Sequence, residues 1–153
     1  MNRRSIIKLT DNEISDYLNL SNSMTLGTIN SDGTVNLVAM WYGFFNDGSL
    51  GMWTFSKSQK AVNLRRDPRV TCLVESGTTY DSLIGVEIKG IAELSEDKES
   101  LIEIGSSIYV RYFGELDENG RRSVETMSNK RISIRLLVDK IISWDHSKLA
   151  GKY

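Results

Sequence analysis

The chain has 153 residues, 40% of them hydrophobic and 25% charged, and a net charge of −1. That length carries one domain, residues 1–153, with a proper core and is short for two, and the composition excludes a disordered chain. Near-neutrality excludes a general attraction to nucleic acid or to an acidic membrane surface.

The single cysteine, Cys72, allows no intrachain disulfide, which suits a reducing compartment. No window approaches a transmembrane span, and the basic start, residues 1–8, has no apolar stretch of signal-peptide length. A cytoplasmic protein is expected.

In chain order, Thr10 and Glu13 form a capping box, with Ile14, Tyr17 and Leu18 at helical spacing behind it. A strand is expected over 24–30, then a turn at Ser31-Asp32-Gly33-Thr34 built on the favoured Asp-Gly pair. A long β-rich run follows over 35–45, which Gly43 would let bend at a barrel rim. Asn46-Asp47-Gly48-Ser49 turns the chain into a strand over 50–55, so that the first three strands read as a meander. A short basic helix comes next, and Asp67-Pro68 ends it because the residue before proline avoids the α region.

The runs 69–75 and 83–94 read as strands around a polar loop, with Gly85 and Gly90 marking a bulge or a close approach. Ser95 is expected to cap a helix whose first turn is acidic and which carries Leu101, Ile104, Ile108 and Tyr112 on one face, ending at Gly114. Asp117-Glu118-Asn119-Gly120 reads as a turn, and 121–129 is ambiguous, with a short helix preferred. The runs 131–138 and 140–144 read as the sixth and seventh strands, and 145–153 as a polar, loop-like tail. Many short antiparallel strands with few helices suggest a closed or nearly closed barrel, since closure removes exposed edges.

The most informative segment joins a strand to the basic helix, Trp53-Thr54-Phe55-Ser56-Lys57-Ser58-Gln59-Lys60. Ser56 reads as the N-cap, with Gln59 three residues on as in a capping box. A helix start leaves backbone N–H groups unpaired and is electropositive, and Lys57 and Lys60 add full charges there. An anion held at this point would meet aligned donors and two ammonium groups. The same residues also make an ordinary capped surface helix, and spacing alone does not separate the two readings.

Other chemistries fall away. One histidine and one cysteine make no metal cluster, and glycine-rich dinucleotide and Walker patterns are absent. His146 beside Asp145 reads as a solvated tail residue, and Cys72 as a small core residue. Of the aromatics Trp41, Tyr42, Phe44, Phe45, Trp53 and Phe55, most read as core, and those near Ser56 could flank a planar ligand.

The order of an Asp-Gly turn, Val35-Asn36-Leu37-Val38-Ala39-Met40-Trp41-Tyr42, Trp53-Thr54-Phe55-Ser56 and Lys60-Ala61-Val62-Asn63-Leu64-Arg65-Arg66-Asp67-Pro68-Arg69-Val70 resembles the pyridoxamine 5′-phosphate oxidase-like split β-barrel proteins. It is most similar to their flavin- or deazaflavin (F420)-dependent oxidoreductases. The strand 86–94 and the ending 143–149 fit as well, so the resemblance spans the chain apart from residues 95–130. It implies a mainly β fold with flanking helices, an antiparallel split barrel of six to seven strands. It further implies a homodimer with F420 or FMN at the subunit interface, a small-molecule substrate, and no nucleic acid or membrane partner.

Carried over by residue, Lys60 and Asn63 match positions that hold the cofactor phosphate. Asn36, Val38, Ala39 and Met40 match the strand beside the ring, and Thr54 and Ser56 the strand leading to the phosphate. Ser58 stands where some relatives have an arginine, and Lys57 would compensate. The further basic residues that true pyridoxamine-phosphate oxidases carry near the C-terminus are not found. The resemblance thus implies hydride transfer from reduced F420 or FMN to a small organic acceptor, with Tyr80, Tyr109 and His146 unassigned as acids. F420 is preferred, both for the Asn63 to Pro68 run and because Lys57, Arg65, Arg66 and Arg69 carry more charge than one phosphate needs. Two other classes stay open: a flavin- or haem-binding carrier or redox sensor, and a small-barrel nucleic-acid binder, against which the near-neutral charge argues.

Overall fold

The computed structural model describes residues 3–20 and 23–149. Alternation of side chains builds the sheet. In β5 (Arg69–Ser76), Val70, Cys72 and Val74 are buried and the residues between them are more open to solvent. In β6 (Ile84–Ser95), Val86 and Ile88 are buried, a bulge falls at Lys89/Gly90, and Ala92 continues the inward face beyond it. Gly90 is the residue that fits this bulge, because a Cβ there would stand 2.1 Å from the Leu137 carbonyl oxygen.

The other strands are β1 (Met24–Ile29), β2 (Val35–Met40), β3 (Gly43–Phe44), β4 (Leu50–Phe55) and β7 (Arg131–Asp145). They join one antiparallel sheet in the order β2-β1-β5-β6-β7-β4-β3. The sheet curls into a half-barrel with helices on its flanks, the split barrel that the family resemblance implies.

Three strand expectations need correction. The run 35–45 is not one strand: it breaks at Trp41-Tyr42, and Gly43 opens β3 rather than bending a continuous strand. The meander does not form, because β4 pairs with β3 and β7 and not with β2. The Trp41-Tyr42 break carries the chain from one edge of the sheet to the other. The runs 131–138 and 140–144 are a single strand of 15 residues, in which Asp139 is the extra, unpaired residue of the bulge opposite Lys89/Gly90 and mimics an interruption in the sequence pattern.

The helices are α1 (Arg3–Ile7), α2 (Asp11–Asn19), α3 (Gln59–Arg66), α4 (Lys98–Phe113) and α5 (Glu118–Ser128). α1 was not anticipated. α2 starts with the expected Thr10–Glu13 capping box. Lys148 donates to Glu13 at 2.7 Å and, with the Thr10 amide, lowers the Glu13 pKa to about 2. The N-cap of α4 is Asp97, not Ser95, which instead accepts from the Asp97 amide. Asp117 is likewise the N-cap of α5 rather than part of a free turn. The segment 146–149 is a short 3-10 turn with Leu149 buried, and His146 contacts the Tyr80 carbonyl at 3.0 Å, so it is not a solvated tail residue. Residues 150–153 of the expected tail lie outside the described residues.

Two cores result. Inside the curl, Met24, Leu26, Tyr42, Met52, Val74, Val86, Ile88 and Ile134 pack together. On the other face of β4, Phe45 and Trp53 pack under Leu101, Ile104 and Ile108 of α4 and Val124 of α5. Cys72 belongs to the first core, and burial pushes its thiol up to about 12, so no thiolate forms near neutrality. Cys72→Ala is therefore expected to cost about 1 kcal/mol in denaturant unfolding and to leave cofactor reduction intact. Loss of turnover in a folded Cys72→Ala protein would contradict this.

Candidate functional site

The end of β4 and the start of α3 gather most of the expected residues. Ser58 is the N-cap of α3 and accepts from the Ala61 amide at 3.4 Å. The expected cap, Ser56, is a backbone joint: its N–H donates to Lys130 at 2.9 Å and its carbonyl accepts from Arg65 at 2.6 Å. The helix therefore begins two residues later than spacing suggested, and no Ser56–Gln59 capping box forms. Ser58, which departs from the arginine of some relatives, supplies the cap in its place. Helix geometry leaves the Gln59 and Lys60 N–H groups without an acceptor inside α3.

The side chains converge on Thr54. Its hydroxyl lies 3.2 Å from the Ser58 hydroxyl and accepts from the Lys60 ammonium at 3.2 Å. Lys60 is half-buried, and desolvation, with the positive charge of Arg131 added, lowers its pKa. Lys57 is exposed in the turn before α3.

Asn63 is fully buried and acts differently. Its amide nitrogen donates to the Thr28 hydroxyl at 3.1 Å and to Asn30 at 2.8 Å. Its amide oxygen accepts from Gln59 at 2.9 Å and from Arg66 at 3.4 Å. Every hydrogen-bonding position of that side chain is engaged inside the protein. Asn63 thus ties α3 to the β1–β2 hairpin and has no donor left for a ligand.

The residues expected beside the ring lie on β2, a sheet edge. Asn36 stands opposite Thr28 in the β1–β2 register, next to the residue that holds Asn63. Val38 and Met40 pack on the core, while Ala39 is exposed. Being an edge, β2 turns half of its backbone N–H and C=O groups away from β1.

The charges sort themselves. Arg65 pairs with Glu96 at 3.3 Å, Arg69 pairs with Asp67 at 2.7 Å, and Arg66 donates to the Ile29 carbonyl. These arginines, expected to serve a long anionic tail, are committed to neighbours. The Arg69 hydrogen bonds also lower the Asp67 pKa to about 2. Among the described residues, no carboxylate pairs with Lys57, Lys60 or Arg131.

Sequence reasoning missed Arg131. It opens β7 opposite Phe55, and its guanidinium lies 4.9 Å from the Trp53 ring and 4.4 Å from the Phe55 ring. Its Nε is buried without a partner. Only the β4–β7 register brings it here, and nothing near Arg131 in the chain signals that register. Phe55 is exposed, as a residue flanking a planar ligand would be.

An anionic group fits the donor set on the Thr54 side: Lys60 and Lys57 without carboxylates, and a helix start, while Arg131 stands with Trp53 and Phe55 on the other face of β4.

The family model described as pyridoxamine 5′-phosphate oxidase matches residues 10–145. A structure of a conserved hypothetical protein of Mycobacterium tuberculosis is similar over 96% of this chain and 91% of that one, at 45% identity and a TM-score of 0.91. An F420 reductase is 24% identical over 83% of this chain and 94% of its own, with a TM-score of 0.64. The haem storage protein HutZ of Vibrio cholerae is 15% identical, covering 90% and 97%, with a TM-score of 0.69. At those identities the last two share the fold. No curated protein matches the chain.

Proposed function

The chain belongs to the pyridoxamine 5′-phosphate oxidase family, and on that premise we propose that it is an oxidoreductase using F420 or FMN to reduce a small organic acceptor. The observation that carries this reading is the pair of cations without a carboxylate at the start of α3, Lys60 with Lys57, beside Thr54 and Ser58. Lys60 and the first-turn amides of α3 would hold the phosphate, and the open edge of β2 would offer main-chain groups to the ring. Bound there, the cofactor supplies the hydride chemistry. The chain's part is to orient the ring and keep water from it. Backbone N–H groups at an edge strand also suit the charge that a reduced ring accumulates.

F420 stays the preferred cofactor, on the likeness of the 63–68 run and on the fold shared with an F420 reductase. The excess of arginine no longer argues for it, since Arg65, Arg66 and Arg69 are engaged internally. Competition between F420 and FMN for the purified protein, followed by an acceptor screen with each reduced cofactor, tests the assignment. Tighter F420 binding with turnover is expected. Turnover with FMN alone would reverse the cofactor choice. Reduced cofactor that meets no acceptor would favour the second reading, a carrier or redox sensor.

We also propose a homodimer. Val35 and Leu37 on β2 and Leu137, Val138, Ile141 and Ile142 on β7 are exposed apolar residues, more than two strands keep open without a partner. A groove lined by Thr25, Ile29, Leu37, Leu73 and Trp144 lies on the strands of that sheet rather than at the cation set. A dimeric mass by light scattering at micromolar concentration is the expected result, and a monomeric mass would count against it. No helix among the described residues is long and apolar enough to cross a membrane.

A further inference from the structure

We infer that Arg65 is a positioning residue for the anion site at the start of α3: it clamps the turn before that helix to Glu96, at the root of the segment 95–130 that carries α4 and α5. The inference rests on the proposal that this site takes a phosphate-bearing cofactor.

The turn is Phe55-Ser56-Lys57-Ser58, closed by the Ser58 amide donating to the Phe55 carbonyl at 3.0 Å. Its shape matters because it leads into everything the anion would meet. Lys57 stands in it, and Ser58 ends it as the cap of α3. The Ser58 hydroxyl meets that of Thr54, and Thr54 accepts from Lys60. Ser56 fixes this turn to the rest of the protein. Its amide donates to the Lys130 carbonyl at 2.9 Å, and its carbonyl accepts from Arg65 at 2.6 Å. Only the second of these bonds depends on a side chain. Arg65 lies in the last turn of α3 and reaches back to the turn ahead of it, so that helix and turn are held as one piece.

Arg65 is itself held. Its other terminal nitrogen donates to the Glu96 carboxylate at 3.3 Å. A guanidinium fork grips a carbonyl and a carboxylate at once, which an ammonium on a flexible stem does less well. Glu96 lies just after β6 and Lys130 just before β7, so both roots of the 95–130 segment meet on Ser56. As an ion pair the Arg65–Glu96 contact contributes little, since the Glu96 side chain is 75% exposed. Its consequence is geometric: it favours the side-chain conformation in which Arg65 faces Ser56. Arg65 therefore serves the anion without touching it, by keeping the backbone of Lys57 and the Ser58 cap beside Thr54 and Lys60.

The test has to separate position from charge. Arg65→Met combined with Glu96→Gln removes the clamp and leaves the summed charge of the pair at zero, as in wild type. Both proteins are titrated with each chromophore and its phosphate-free form: FMN against riboflavin, and F420 against the same deazaflavin without phosphate and tail. The double variant should prefer the phosphorylated form roughly three- to tenfold less than wild type and bind the phosphate-free form as wild type does. A wild-type preference overturns the inference, because it leaves Arg65 no role beyond its charge. An equal fall for both forms overturns it too, because a general loosening of the fold weakens both alike. Arg65→Lys keeps the charge but loses the fork, and covers the case in which the double variant does not fold. Its preference should fall roughly twofold or more, and a wild-type preference would again overturn the inference. Wild-type protein that binds neither chromophore defeats the cofactor reading instead. Inorganic phosphate titrated into wild type and Arg65→Lys, followed by phosphorus NMR, then decides the clamp by itself: weaker binding to the variant supports it, and equal binding, or none to wild type, overturns it.

Discussion

Lys60→Ala is expected to lose roughly ten- to more than a hundredfold in cofactor affinity while unfolding no more easily than wild type. The affinity loss follows from removing a charge-assisted contact, about 1.5–3 kcal/mol. The unchanged stability follows from the ligand-free protein, where Lys60 has a single hydrogen bond, to Thr54, and sits half-buried near a second cation. Its folded-state pKa lies below the ordinary 10.5. Between those two values the unfolded chain holds more protons than the folded one, so the ligand-free protein gains stability as pH rises through that window. Lys60→Ala should lack this rise. Cofactor affinity should run the opposite way in wild type, falling as Lys60 deprotonates. Lys148→Ala is the comparator: its ammonium is neutralised by Glu13 at α2, so it should bind cofactor as wild type does. Equal affinities of the two variants in a fluorescence titration would end the assignment of Lys60 to the anion site.

The parts of the fold that were legible in the chain are those decided by neighbours in sequence. The Thr10–Glu13 capping box, the stop at Asp67-Pro68 and the bulge at Gly90 each depend on residues a few positions apart, and each lies where spacing put it. What failed needed long-range information. β3 is two residues long and exists because Gly43 and Phe44 meet Gly51 and Leu50 at the far edge of the sheet. β7 runs unbroken past Asp139 because that residue bulges out of the register with β6 and the pairing resumes on either side of it. Helix starts were misplaced where two capping residues compete: Ser56 lost to Ser58, and Ser95 to Asp97, because the first serine of each pair is drawn into another contact.

The candidate site divides in the same way. Thr54, Ser58 and Lys60 come together as the strand-to-helix junction implied. Arg131 could not be read, since 76 positions separate it from Phe55 and only their register joins them. The arginines at 65, 66 and 69 looked available because their partners, Glu96, the Ile29 carbonyl and Asp67, are set by the fold.

Asn63 gives the sharpest separation between a residue that supports a site and one that touches the ligand. Resemblance puts it at a phosphate-binding position, yet its four hydrogen bonds all run inward, to Thr28, Asn30, Gln59 and Arg66. Asn63→Leu keeps the volume roughly constant and strips that network, leaving the buried Thr28 hydroxyl and the Asn30 amide oxygen without their donor. Unpaired buried groups of this kind cost about 1–3 kcal/mol each, so a loss of about 2–4 kcal/mol is expected in denaturant unfolding. Cofactor affinity should fall as a consequence, because α3, which carries Lys60, loses its tie to the β1–β2 hairpin. The order of the two effects is what matters. Lys60→Ala should damage binding and spare stability, whereas Asn63→Leu should damage stability first. An Asn63→Leu protein as stable as wild type but unable to bind cofactor would mean that the amide reaches the ligand, and that the inward network does not hold α3 in place.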